Sequence, residues 1–145
     1  MHKSLVMLAA CAFAVPAAAS AAAPGASLVV KIEDVTKDGG DLRVGVYNQA
    51  LFEVRGSKPL YGLIAAAKPG EDVFTFPDLA PGAYGVKVLQ DVNKNGHMDL
   101  HFGMIPAEPY GISNDARPSM GPAPWDDAKF DVKPGANTIV IHMHS

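Results

Sequence analysis

The sequence predicts an all-β fold: a single antiparallel β-sandwich of about seven strands, immunoglobulin-like or transthyretin-like, with one long loop rich in proline and glycine. Two observations predict it. Apolar residues alternate with polar ones in short runs, as a sheet with one buried face requires. The 14 glycines and 12 prolines among 145 residues mark turns between these runs and argue against a helical bundle.

The charge balance excludes two classes of protein. Twelve Lys and Arg residues stand against 15 Asp and Glu residues, which gives a formal charge of -3 at pH 7. A basic nucleic-acid-binding protein and an acidic disordered tail are therefore both excluded. The chain is long enough for one domain with a core of its own.

Residues 1–21 are predicted to be an export signal that is cleaved off. Lys3 supplies a positive start, residues 4–15 an apolar stretch, and Ala19-Ser20-Ala21 a small-residue cleavage site. The apolar stretch is too short for a permanent bilayer-spanning helix. We therefore expect one domain over residues 22–145, without a transmembrane segment, in the periplasm or secreted. In a competing interpretation, residues 8–11 form a lipoprotein processing box and Cys11 carries a lipid.

Seven runs are predicted as strands, and in the first two the even-numbered residues are apolar and face the core. The runs span residues 28–32, 42–46, 61–67, 73–76, 84–88, 129–132 and 138–144. The first two are predicted to pair as a hairpin across residues 37–40, and the last two across residues 134–137. Residues 51–57 are ambiguous.

A proline-glycine corner precedes the fifth run. Pro81-Gly82 sets the turn, and Tyr84 alternates with two valines in the strand that follows. This pattern is typical of the tyrosine corners of Greek-key sandwiches, so we expect a structural role for Tyr84.

The segment after the fifth run matches the first part of an EF-hand calcium loop. Side chains that carry oxygen occupy its first, third, fifth and ninth positions, namely Asp91, Asn93, Asn95 and Asp99. Gly96 at the sixth position permits a sharp bend, and the backbone carbonyl of His97 supplies a further ligand. A hard cation requires six to eight oxygens at about 2.3–2.6 Å, which alternate side chains of a coiled loop can supply.

The predicted calcium site is weak, because the twelfth position is Phe102 and not a bidentate glutamate. A dissociation constant of roughly 10⁻⁴–10⁻³ M is expected. Glu108 is a candidate distal ligand. The alternative is that residues 93–96 form only a turn, in which the asparagine side chains bond their own backbone.

Residues 102–127 contain five prolines and three glycines, so neither a strand nor a helix is predicted there. The segment also keeps large apolar residues, which favours a loop packed onto the sandwich. These are Phe102, Ile105, Tyr110, Ile112 and Trp125.

Four sequence motifs together carry a resemblance to a known family. They are LAPGAY at residues 79–84, DVNKNGHMD at 91–99, PAEPYGISN at 106–114 and AKFDV at 128–132. In this order they resemble the bacterial secreted family catalogued as domain of unknown function 2141, over nearly the whole mature chain. The resemblance implies an exported β-sandwich with no established activity. The chain departs from the family pattern at His97-Met98, where a small or basic residue followed by leucine is expected.

Other sets of residues carry weaker signals. His142 and His144 share the outer face of the last run, and His97 and His101 lie in or near the calcium-like loop, so a copper or zinc site is a minor alternative. The segment at residues 111–115 approaches a nucleophile elbow but lacks its final glycine. We therefore predict that the protein is not an enzyme.

Two functional interpretations remain. In the first, the protein is an exported non-enzymatic module that calcium stiffens at residues 91–99, with a structural or binding role in the cell envelope. In the second, the Asp91 segment is only a turn, and the loop at residues 102–127 presents exposed Tyr110 and Trp125 to an envelope carbohydrate or protein.

Overall fold

The computed structural model describes residues 25–145, so the predicted leader, its cleavage site and Cys11 lie outside the described residues. The described chain consists of ten strands with a few short helices. The strands are β1 (Ala26–Val35), β2 (Asp41–Tyr47), β3 (Tyr61–Ala66), β4 (Gly70–Leu79), β5 (Gly82–Asp91), β6 (Leu100–His101), β7 (Ile105–Pro106), β8 (Tyr110–Ile112), β9 (Phe130–Val132) and β10 (Gly135–His142). The helices are α1 (Gln49–Phe52), α2 (Trp125–Ala128) and a 3-10 turn (Ser113–Asp115).

Two main sheets form the predicted all-β sandwich. One has the strand order β10-β1-β4, and the other has the order β3-β2-β5-β8, with β9 also bonded to β5. Strands β6 and β7 form a separate small hairpin. No helix within residues 25–145 is long and apolar enough to cross a bilayer.

The core lies between these sheets, and the predicted alternation of the first two strands is confirmed. The even-numbered apolar residues of β1 and β2 are all buried, namely Leu28, Val30, Ile32, Leu42, Val44 and Val46. They pack in one cluster with Val86 and Val88 of β5. Burial of these side chains is the main favourable contribution to folding.

Both predicted hairpins are wrong. Strand β1 pairs with β10 in parallel and with β4, whereas β2 lies in the other sheet. The connection between β1 and β2 crosses from one layer to the other, and Gly39 and Gly40 both have positive φ there. Strand β9 pairs with β5 and not with β10. Alternation shows which face of a strand is buried, but two short strands joined by a turn can lie in different layers.

The predicted tyrosine corner is confirmed. The Tyr84 hydroxyl donates a hydrogen bond to the carbonyl of Ala80 at 2.6 Å, and the residue is only 7% exposed. Its ring also meets the Tyr61 ring edge to face, with the ring centres 6.5 Å apart. The corner therefore fixes the start of β5 to the core.

The loop at residues 102–127 packs onto the sandwich only in part. The prediction that it contains neither a strand nor a helix is wrong, because β7, β8, the 3-10 turn and the start of α2 lie in it; these elements are short enough to fit between its prolines and glycines. Ile112 and Trp125 are buried in a second core cluster, where Trp125 meets Phe52 of α1 edge to face. The prediction that Phe102 and Ile105 also pack there is wrong, because they are 93% and 55% exposed. They lie in the β6–β7 hairpin, which extends beyond both core clusters.

The two lateral sides of the sandwich differ. On one side, Tyr110 and His144 exchange two backbone hydrogen bonds, of 2.8 and 2.7 Å, and so join the sheets. On the other side, β3 and β4 remain edge strands with a shallow groove between them.

Candidate cation site

The candidate loop begins where β5 ends, at a buried carboxylate. Asp91 is fully buried, and its two oxygens accept hydrogen bonds from three donors. Arg43 Nε lies 2.7 Å from Oδ2, the Gly96 amide 2.8 Å from Oδ2, and the Asn95 amide 3.0 Å from Oδ1. Strand pairing explains the Arg43 contact, because β2 runs beside β5 with Asp41 opposite Asp91.

The charge of Asp91 is compensated within the fold. Burial by itself raises the pKa of this carboxyl, but the hydrogen bonds from Arg43, Gly96 and Asn95 and the Arg43 charge outweigh it. The pKa of Asp91 therefore lies below its usual value. A cation bound here would share the Asp91 carboxylate with the Arg43 guanidinium, which weakens its binding.

The other three predicted side-chain ligands lie together on the exposed side of the loop. The Asp99 carboxylate accepts hydrogen bonds from the side-chain amides of Asn93 at 2.5 Å and Asn95 at 2.9 Å. Both asparagine oxygens accept from backbone amides of the loop, Asn93 from Asn95 at 3.2 Å and Asn95 from His97 at 3.1 Å. The loop is thus closed by its own side chains, as in the turn interpretation.

A bound calcium ion would have to rearrange these amides. At present the N–H₂ groups of Asn93 and Asn95 face Asp99. Rotation of either side-chain amide by half a turn would place its oxygen there instead, where it could bind a cation. The same rotation breaks the bond that each oxygen makes to the backbone. The cation must therefore replace several hydrogen bonds, which is a second reason to expect weak binding.

His97 and Glu108 are the remaining predicted ligands, and both contact Asp99. The His97 ring Nε2 is 3.5 Å from an Asp99 oxygen. Glu108 is buried, and its two oxygens accept from the amides of Val92 at 3.0 Å and Asp99 at 3.2 Å. Glu108 thus clamps the two ends of the loop together, and a ligand role for it stays a prediction.

Sequence reasoning missed two residues of this site. Arg43 neutralises Asp91, and Gly40 lies against the start of the loop. A Cβ atom at Gly40 would come within 2.2 Å of the Asp91 carbonyl oxygen. These residues lie beside Asp91 only because β2 pairs with β5. The sequence prediction pairs β2 with β1 instead, so it could not place them there.

Within residues 25–145, no group of three or more His, Cys, Asp or Glu side chains is arranged to hold a metal ion. The candidate loop offers two carboxylates and two amides instead. The two C-terminal histidines considered for a transition metal contact other side chains. His142 lies between Asp115 and Glu33, and His144 Nδ1 lies 3.0 Å from Arg117 Nη2.

The His142 pairing predicts a pH dependence of stability. The hydrogen bond to Asp115, and then the charges of Asp115, Glu33 and Asp34, raise the pKa of His142 above its usual value. A histidine whose pKa is higher in the folded state than in the unfolded chain stabilises the fold. This stabilisation is fully present below the pKa of the unfolded chain, about 6.5, and is lost as the pH rises through the higher pKa of the folded state. We therefore expect His142→Gln to lower the melting temperature more at about pH 6 than at about pH 8. His101→Gln is the control, and an equal loss at both pH values would contradict the pairing.

The second functional interpretation assumes that the loop at residues 102–127 exposes Tyr110 and Trp125, and this assumption is wrong in part. Trp125 is 6% exposed and belongs to the second core cluster. Tyr110 is half-buried, with its ring edge to face against His144. Neither aromatic is therefore an exposed platform for a sugar or peptide. The exposed apolar side chains of this segment are Phe102, Met104, Ile105 and Met120.

Comparison with known proteins gives one match. The model of the family described as uncharacterised proteins conserved in bacteria, DUF2141, matches residues 30–140. Neither a curated protein sequence nor a solved structure shows significant similarity to the chain. The match covers most of both main sheets and the whole candidate loop. The chain therefore belongs to the bacterial DUF2141 family.

Proposed function

We propose that this protein is an exported, non-enzymatic β-sandwich module with a structural or binding role in the cell envelope, and that its Asp91 loop binds calcium weakly. The observation that carries the cation proposal is the placement of Asp99. Its carboxylate lies within hydrogen-bond distance of Asn93 and Asn95, and the latter is bonded through its backbone to Asp91. All four residues thus belong to one small hydrogen-bonded network.

A non-enzymatic role is supported by the state of Ser113, the serine of the elbow-like segment. Its side chain is buried, and the hydroxyl donates to the Ala128 carbonyl at 2.6 Å and accepts from the Val86 amide at 2.9 Å. A serine nucleophile requires an exposed hydroxyl beside a general base. Ser113 instead fastens the segment after β8 to β5.

Export is supported by the leader-like sequence at residues 1–21. Intact-mass measurement of the protein recovered from the producing bacterium is expected to show a chain that begins near Ala22. A chain that begins at lipidated Cys11 would replace this proposal with attachment to a membrane surface.

Calcium binding is tested by thermal unfolding. A site with a dissociation constant of about 1 mM should add about 1.4 kcal/mol of stability at about 10 mM calcium, because the ion binds only the folded state. For a domain of this size, that corresponds to a rise of a few degrees in melting temperature. Magnesium should raise it less, because it requires near-ideal octahedral geometry and gives up its waters reluctantly.

Variants separate the site from a general salt effect. Asp99→Asn removes a carboxylate whose side chain is 35% exposed, so it should abolish the calcium shift while the fold is retained. Asp126→Asn is the matched control, because that carboxylate is 80% exposed at another place and pairs with Lys129. The absence of a shift in the parent protein, or an equal shift in Asp99→Asn, would show that the loop is only a turn.

A further inference from the structure

The β6–β7 hairpin ends in a cluster of exposed apolar side chains. Phe102, Met104 and Ile105 are 93%, 65% and 55% exposed. They lie on or beside the two-residue turn that joins His101 to Met104, in which the Met104 amide bonds the His101 carbonyl at 3.1 Å. We call these three side chains the hairpin tip. Large apolar side chains that are exposed at one place on a small domain commonly mark an interaction site.

The hairpin tip is a fixed projection and not a loose end of the long loop. At its base, the Ala107 amide bonds the Asp99 carbonyl at 2.8 Å, and Glu108 accepts from the Asp99 amide. At its end, Phe102 has φ of 52° and Gly103 has φ of 72°. Glycine adopts such values freely, whereas they are unfavourable for a bulky residue. Phe102 therefore adds backbone strain, and its exposed ring gains little from packing.

A positively charged side chain lies beside the apolar side chains of the hairpin tip. Arg55, in the segment after α1, extends its guanidinium to the Gly103 carbonyl, with Nη1 3.4 Å from the oxygen. Its chain neighbour Val54 is a further exposed apolar residue, at 54%. The tip thus combines protruding apolar groups with a guanidinium, which recognises phosphate well.

We propose that the hairpin tip inserts into the surface of a phospholipid bilayer that contains anionic lipids, with Arg55 on a lipid phosphate. The shape favours a bilayer over a protein partner. A stable protein interface buries about 800 Å² on each partner, and three side chains on a convex turn offer less than that. A bilayer accepts single protruding side chains, and its phosphates complement the Arg55 charge. This inference does not depend on calcium binding.

Vesicle co-sedimentation of the mature protein tests the proposal. The parent protein should bind vesicles of phosphatidylethanolamine and phosphatidylglycerol, also in the presence of a calcium chelator. Phe102→Ser combined with Met104→Ser should reduce the bound fraction about tenfold, since two apolar side chains no longer enter the bilayer. Arg55→Gln should remove the preference for these vesicles over vesicles of neutral phosphatidylcholine.

The matched control lies on the edge strand β3. Leu63→Ser combined with Ile64→Ser also removes two exposed apolar side chains, but away from the hairpin tip, where they are 38% and 58% exposed. This variant should bind vesicles as the parent does. The proposal is overturned if the parent does not bind, if the tip variant binds equally well, or if the β3 variant loses as much. Binding only with calcium would also overturn it, and would support the cation proposal instead.

Discussion

Asp91→Ala is expected to lower the free energy of unfolding by about 3 kcal/mol or more. The change removes the acceptor of three hydrogen bonds, from Arg43, Asn95 and Gly96. It also leaves the Arg43 guanidinium, whose side chain is 31% exposed, without the carboxylate that it contacts at 2.7 Å. Denaturant titration of the parent and the variant measures the difference.

Asp41→Asn is the matched control for this loss. Asp41 lies opposite Asp91 in the strand pairing, and its contact with Lys94 is long, at 3.7 Å, with the aspartate side chain 24% exposed. The loss should therefore stay below about 1 kcal/mol, as is usual for a surface ion pair. A similar loss in both variants would show that the hydrogen bonds of Asp91 do not account for the loss of stability in Asp91→Ala.

Tyr84→Ala is expected to cost about 3–5 kcal/mol of stability, because it removes a large buried ring and leaves a cavity. The ring is part of the main core cluster and lies against Tyr61. The change also leaves the Ala80 carbonyl without the hydroxyl that contacts it at 2.6 Å. Denaturant titration gives the loss, and a value within about 0.5 kcal/mol would be incompatible with the corner.

Tyr84→Phe separates the two contributions of the corner. It retains the ring in the core and removes only the hydroxyl, so the expected loss is about 1 kcal/mol. If Tyr84→Phe cost as much as Tyr84→Ala, the hydrogen bond and not the ring would account for the stability. In that case the corner would act mainly as a backbone lock at the start of β5.

Local patterns predicted the faces of the strands well and their partners poorly. The alternation of Leu28, Val30 and Ile32 depends on one strand alone, and these residues are buried as expected. Strand pairing depends on contacts between distant parts of the chain, such as Val30 opposite Ile139. Nothing in the local sequence encodes these contacts, so it predicts hairpins across residues 37–40 and 134–137 that the structure does not contain.

In the candidate site, too, the sequence predicts local arrangements but not contacts between distant parts of the chain. Regular spacing predicted that Asn93, Asn95 and Asp99 lie together, and the structure brings them together. The spacing could not reveal Arg43, which lies 48 positions before Asp91 and reaches it only because β2 and β5 are neighbours. Likewise, the apolar character of Phe102 predicts that it packs, but its place at the end of the short β6–β7 hairpin leaves it 93% exposed.

The parallel pairing of β1 with β10 has a consequence for how the chain folds. The first described strand obtains one of its two neighbours from the last, with Ala26 opposite Gly135. Contacts of such high sequence separation are slow to form, since a long loop must close before they contribute. On the ribosome, the sheet around β1 cannot be completed until residues 135–142 have emerged. Until that strand is available, the nascent polypeptide stays incompletely folded, because the edge of β1 that pairs with β10 is still open.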